Sequence, residues 1–258
     1  AVSGIVSLSP AATDLVLALG LESRLAGVST FDTHSSVKGR LPVVGDYQRI
    51  DWERLGAIKP SYLIVQGRPD RLPPGLADRC AKANIQLINI QIDRLADIQR
   101  TIDQLGETLH VRDDATRVNE QFTQSLRDLA SDAPTTPAMI VTSDNGVSVA
   151  GQNNYLNDLL NIAGGENVIK ASGYVTIDRE KLLTLRPQVI VLLLPGASDA
   201  VKRQAISAFD DAGILPAVRD KRFLVIDAPD ALIPGSRAPA LAAAMAQALR
   251  PTPTPARP

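Results

Sequence analysis

Cysteine is nearly absent. Cys80 stands alone in 258 residues, which excludes an internal disulfide and any cysteine-based zinc site. Histidine is almost as scarce: His34 and His110 are the only two and lie far apart, so a multi-histidine metal centre is excluded too. Net charge is −1, leaving no electrostatic footprint for a nucleic-acid backbone or an anionic membrane surface. No apolar run approaches the roughly 20 residues needed to span a bilayer, and the longest, 189–194, is strand-sized. The chain has no Walker loop, no GxGxxG fingerprint and no Ser-His-Asp set.

What is present suits a globular chain. At 45% hydrophobic and 21% charged, it can bury a core without staples or metals. At roughly 100–200 residues per domain, its length means one large domain or two modest ones. It opens at AVSGIVSLS with no start methionine, basic n-region or apolar h-region, and so reads as a processed or trimmed chain from which export cannot be seen directly. The closing PTPTPARP, 251–258, is expected to be an extended, disordered tail.

Strand-like runs at 4–8, 62–65 and 85–90, and again at 138–141, 189–194 and 222–226, alternate with helical patterns. Apolar, β-branched runs bounded by Pro, Gly and polar residues suit strands covered on both faces. The alternation predicts α/β architecture built from βαβ units, with parallel sheets. Ser9 is an N-cap, Pro10 sits at the first helical position and Gly20 ends the first helix. Gly164 to Asn167 reads as a helix C-cap rather than a phosphate cradle. One segment breaks the alternation: Ala115, Val118, Phe122, Leu126 and Leu129 recur at spacings of three and four, an amphipathic helix opened by Asp113 and Asp114. A Pro-rich break at 133–137 follows. The predicted organisation is an N-terminal lobe over 1–110, a connector helix over 111–133, a C-terminal lobe over 134–250 and the tail.

An internal repeat supports two similar lobes. The segment 51–65 (DWERLGAIKPSYLIV) aligns without gaps on 178–192 (DREKLLTLRPQVIVL), with Asp, Glu, Leu and Pro identical. The offset, 178 − 51 = 127, is close to half the chain. Each copy reads as an Asp-capped helix, a Lys/Arg-Pro stop and a buried strand, because proline disfavours helix at the residue before it. Glu53 and Glu180 fall at equivalent positions, where a first-turn Glu also complements the helix dipole. Tyr47 and Tyr174 are related by the same offset. Tyr47 lies in a loop before a helix, where α/β sheets bind ligands, although a half-buried packing role fits it as well.

Ile5 to Asp14, Ala18-Leu19-Gly20, Leu25 to Ser29, Leu41 to Gly45, Leu55 to Pro60 and Gly164 to Val168, in that order, resemble the class III substrate-binding proteins of ABC importers, the receptors for vitamin B12, haem and iron-siderophores. The resemblance covers nearly the whole chain except its tail and is nearest to the vitamin B12 receptors. It implies two Rossmann-like lobes joined by a single long helix, a ligand held between them, and a periplasmic or extracytoplasmic location whose signal segment is absent from this chain. It further implies that Glu53 and Glu180 dock into arginine pockets of a dimeric permease. Two like anions, one per lobe, suit a two-fold symmetric cationic partner.

By position, the resemblance assigns Phe31, Tyr47, Gln66 and Tyr174 to the ligand, with Asp230 and Arg237 from the last loop. No resident cofactor is implied; the ligand itself would be cobalamin, haem or a ferric siderophore. This sequence departs from the pattern in places. Aromatics make up only 3%, Gln66 stands near where a ring is expected, and Tyr47 sits one place beyond the usual haem tyrosine. His34 lies in a loop that could reach the ligand, and Arg68, Arg71 and Arg237 are the arginines available to a siderophore. Two other classes compete: a metal-dependent hydrolase built on Asp14, Asp32, Asp46 and Asp51, and a metal scavenger using His34. Asp14 and Asp51 read instead as helix-start residues, and the others lack ligand spacing.

Overall fold

A computed structural model describes residues 4–129, 134–143 and 148–250. The predicted tail at 251–258 and the end of the predicted connector at 130–133 lie outside them. The chain divides into two compact units, Ala1–Phe122 with Ile233–Ser236, and Thr123–Leu232 with Arg237–Pro258.

The first unit runs β1 (Ile5–Ser7), α1 (Pro10–Ala18), β2 (Leu25–Gly27), α2 (Trp52–Ile58), β3 (Tyr62–Gln66), α3 (Leu76–Lys82), β4 (Gln86–Ile90) and α4 (Leu95–Thr108). The next helix, α5 (Arg112–Arg127), contains the division between the units. In the first unit all strands are parallel, in the order β2-β1-β3-β4. Ser9 caps α1 by accepting the Ala12 N–H, Pro10 opens the helix, and Gly20 beyond its end has φ +74°. Both faces of the sheet are covered: on one, Val6, Leu8, Leu63 and Val65 pack on Leu55, Leu76 and Cys80, and on the other Ser7 and Ile64 are fully buried. The Arg79 guanidinium lies 3.9 Å from the centre of the Trp52 ring, fastening α3 to α2 through a cation–π contact. Helix α5 presents Ala115, Val118, Phe122 and Leu126 as its buried residues. Its approach to α4 is set by Gly106, where a Cβ would collide with the Ala115 side chain.

The second unit runs β5 (Thr136–Val141), β6 (Ser148–Ala150), α6 (Tyr155–Ile162), β7 (Gly165–Asn167), β8 (Tyr174–Thr176), α7 (Arg179–Thr184) and β9 (Val189–Leu193). It continues with α8 (Asp199–Ser207), α9 (Pro216–Arg219), β10 (Phe223–Ile226) and α10 (Ala238–Leu249). Its sheet corrects the expectation of parallel strands throughout. The order is β10-β9-β5-β6-β8, with β7 also on β5; β6 runs antiparallel to both β5 and β8. Only residues 142–147 separate β5 from β6, too few for the crossover that a parallel return requires. The Gly164–Asn167 segment is a C-cap only at Gly164, with φ +85°; from Gly165 onward it is strand.

The repeat is a structural one. Asp51 accepts the Arg54 N–H at 2.9 Å and Asp178 accepts the Lys181 N–H at 2.7 Å, each capping its helix. In each copy the strand that follows the Lys/Arg-Pro stop is interior to its sheet, β3 between β1 and β4 and β9 between β10 and β5. Asp14 is not a helix-start residue. It sits inside α1, where its carboxylate accepts the Ser236 N–H at 2.6 Å, and Gly235 leaves no space for a Cβ beside it. Asp51→Ala and Asp178→Ala should each remove about 1 kcal/mol of stability, read as a lower urea midpoint at unchanged slope.

Candidate functional site

In the first sheet the chain leaves β1 for β2 on one side and then crosses to β3 on the other. Such a reversal opens a crevice at the carboxyl ends of the central strands. A pocket of about 360 Å³ occupies that position. Leu8, Ser9 and Pro10 follow β1, Gln66 and Gly67 end β3, and Gln91, Ile92 and Asp93 follow β4, with Phe31, Asp46, Tyr47 and Arg68 completing the lining.

Three predicted residues therefore meet in one pocket: Phe31, Tyr47 and Gln66. Phe31 is 64% exposed, on a turn held from beneath. The Phe31 N–H donates to Ser29 Oγ at 3.1 Å, and the Ser29 N–H donates to Asp32 Oδ2 at 3.2 Å. Thr13 Oγ1 of α1 also donates to Asp32 Oδ2, at 2.9 Å. The Thr30 N–H donates to the Gly45 carbonyl at 2.9 Å, stitching this turn to the one that carries Tyr47. Gly45 is required there, since its φ is +101° and a Cβ would strike the Arg49 carbonyl oxygen. The Asp46 carboxylate accepts the Gln48 and Arg49 N–H groups at 2.8 and 3.0 Å, closing the turn as an Asx motif.

Tyr47 is half-buried, packs on the core beside β3, and accepts from Gln48 Nε2 at 3.2 Å. It is thus both a packing tyrosine and a pocket wall. Gln66 accepts the Ser9 hydroxyl at 2.6 Å on Oε1, which leaves its amide N–H groups as the donors available to the pocket. Arg68 pairs with Asp70 at 3.2 Å, and that hydrogen bond holds the Asp70 carboxyl below its ordinary value. The rim thus combines ring faces, amides and two carboxylates, Asp46 and Asp93, with one arginine already engaged.

The remaining candidates lie elsewhere. His34 does not line the pocket; its Nδ1 accepts the Ser36 N–H at 3.2 Å. Arg71 does not line it either. Tyr174, 55% exposed on β8, belongs to the second unit, as do Asp230 and Arg237, which pair with each other at 3.0 Å. Glu53 and Glu180 are exposed at the second position of α2 and α7, without an ion pair to any described residue. Among the described residues no group of three or more His, Cys, Asp and Glu is placed to hold a metal, and no helix is long and apolar enough to cross a membrane. Sequence reasoning missed Ser9, Gln91 and Asp93 as pocket residues, although their places just past strand ends were a readable signal.

A family model for periplasmic binding proteins matches residues 5–229. The chain belongs to that family. Over 235 residues, 88% of this chain and 73% of the relative, it is 24% identical to an uncharacterised ABC transporter substrate-binding lipoprotein, YvrC, of Bacillus subtilis. Over 195 residues, 73% of this chain and 68% of the relative, it is 26% identical to a vitamin B12-binding protein of Yersinia pseudotuberculosis. A crystal structure of a periplasmic haem-binding protein from Pseudomonas aeruginosa superposes with a TM-score of 0.79 at 28% identity, covering 98% of this chain and 96% of that one. These are binding proteins, and the reading of a binder rather than a catalyst stands with the family.

Asp32 supplies a pH test. Burial raises its carboxyl above the ordinary value near 3.8, the Thr13 and Ser29 hydrogen bonds opposing the shift, and Oδ1 has no partner. A carboxyl whose folded pKa is raised stabilises the fold fully below its unfolded value and loses that contribution as pH rises through the folded one. Wild type should therefore gain stability relative to Asp32→Asn as pH falls from 7 toward 4, measured by urea denaturation at each pH. A difference that stays flat would place the ionisation elsewhere.

Proposed function

We propose that this protein is an extracytoplasmic receptor that captures a corrinoid of the vitamin B12 class and delivers it to an ABC importer. The observation that carries this reading is the pocket's inventory. Phe31 and Tyr47 offer ring surfaces to a flat macrocycle, and the Gln66 amide offers donors to the carbonyls that rim a corrin. Asp46 and Asp93 stand at the same rim, while Arg68 is engaged by Asp70. Carboxylates disfavour a ligand whose rim is itself anionic, which weighs against haem with its two propionates.

Haem is the second reading, because the Tyr47 oxygen at the pocket wall is a ligand type that ferric iron accepts. Absorbance titration separates the two. The purified chain should bind cyanocobalamin at one site, and Tyr47→Ala should weaken that binding on the order of tenfold or more, as for a stacked aromatic anchor. A haemin Soret shift that Tyr47→Phe abolishes, without cyanocobalamin binding, would transfer the assignment to haem. Binding of a ferric siderophore alone would transfer it to that class.

The importer is engaged through Glu53 and Glu180, one exposed carboxylate on each unit, both facing solvent on equivalent Asp-capped helices. Charge-assisted hydrogen bonds to arginine would form there at docking. The double variant Glu53→Ala, Glu180→Ala should keep ligand affinity and melting temperature while abolishing uptake in vesicles that carry the cognate permease. Uptake at the wild-type rate, or a collapsed fold, would make the two glutamates structural.

A further inference from the structure

Ser9 is buried, only 3% exposed, and its one hydroxyl has two tasks. The oxygen accepts the Ala12 N–H at 3.3 Å, capping α1. The proton goes 57 residues along the chain, to Gln66 Oε1 at 2.6 Å. A serine has a single proton to give, and among the described residues that amide oxygen is its only acceptor.

Both ends of this bond are fixed from behind. The Ser7 hydroxyl donates to the Ser9 carbonyl at 3.0 Å, and the Thr13 N–H donates to the same carbonyl at 2.9 Å. Gln66 closes β3 opposite Ile90 of β4, and the Gly67 N–H after it donates to the Ile90 carbonyl at 3.2 Å.

An amide held this way resists turning over. Rotated by half a turn, Gln66 would bring Nε2 to Ser9, and the serine proton would be buried without an acceptor, a costly state. Nε2 therefore faces away from Ser9; it has no acceptor among the described residues and is not buried. Ser9 and Gln66 both line the pocket of about 360 Å³ in the first unit. Gln91 lines it too, but no described residue holds its exposed amide, so either face of that group can meet a ligand. The Asp46 and Asp93 carboxylates add acceptors to the same lining.

We propose that Ser9 is a positioning residue of this pocket. By giving its only proton to Gln66 Oε1 it fixes the polarity of the amide, so that this wall takes a hydrogen-bond acceptor of the ligand, a carbonyl oxygen, and turns away a donor. The inference deepens the receptor reading above and rests on it for the ligand, a corrinoid rimmed by carbonyls.

The test separates the cap from the proton. Ser9→Asn can cap α1 through Oδ1 and still donate to Gln66 through Nδ2. Ser9→Asp caps as well but its carboxylate only accepts, so Gln66 turns Nε2 toward it and its oxygen to the pocket. Each full-length variant is titrated by absorbance with two corrinoids. Cyanocobalamin carries primary amides that both donate and accept; dicyanocobyrinic acid heptamethyl ester has a rim of acceptors alone.

Ser9→Asp should bind the ester on the order of tenfold more weakly than Ser9→Asn does, with a smaller difference for cyanocobalamin. Made beside Gln66→Leu, the same Ser9→Asp change should move ester affinity by less than about twofold, the coupling expected of action through Gln66. Gln66→Glu, which leaves Ser9 and its cap in place, should also lose the ester, and it carries the test if Ser9→Asp does not fold. The inference is overturned, with the receptor reading intact, by equal ester affinities in the Asn and Asp variants or by a loss that persists beside Gln66→Leu. Ester affinity unchanged in Gln66→Glu, or a wild type that binds cyanocobalamin but not the ester, overturns it likewise. A wild type that binds neither corrinoid overturns the corrinoid reading and this inference with it.

Discussion

A carboxylate buried beneath a pocket wall has to be held by neighbours, and in the first unit Asp32 is held by Thr13 of α1 and by the Ser29 amide. Thr13 sits one turn into a helix whose start is set by Ser9, and Ser9 in turn orients Gln66 at the end of β3. The turn that Asp32 closes pushes Phe31 into solvent and, through Thr30 and Gly45, fixes where the Tyr47 turn begins. The pocket is therefore less a hole between elements than the outcome of one buried polar network. Such networks rigidify when nearly every member is satisfied. The single open valence, Asp32 Oδ1, makes its stabilisation depend on protonation.

How much of this was legible followed from how local each signal was. Ser9, Asp51 and Asp178 were readable because a cap is decided within four residues. The interior strands were readable because β-branched runs such as 189–193 have one physical explanation when flanked by turn residues. The three-residue strands β2, β6, β7 and β8 were not, since, unlike β1 within the apolar run 4–8, they stand in no longer apolar run that would mark them. The antiparallel placement of β6 followed from loop length rather than composition. Asp14 looked like a helix-start residue because its true partner, the Ser236 amide, lies 222 residues away.

The candidate site divides along the same line. Tyr47, assigned by resemblance, shares the repeat's offset with Tyr174, yet the two occupy unlike settings, a closed Asx turn and an exposed edge strand. A repeat fixes sequence position more faithfully than local conformation. Asp230 and Arg237 were proposed together from the last loop, and they form an ion pair with each other.

The stacking of Arg79 on Trp52 has an optical consequence. Trp52 is the only indole in the chain, so tryptophan emission originates from one point on α2, next to Glu53 and packed on the core below β3. Its lifetime and polarity shift report the state of that helix alone. Corrinoids and haem absorb where indole emits, so energy transfer from Trp52 would register a single donor–acceptor separation rather than an average over many. The molecule thus carries an internal ruler whose zero lies beside Glu53.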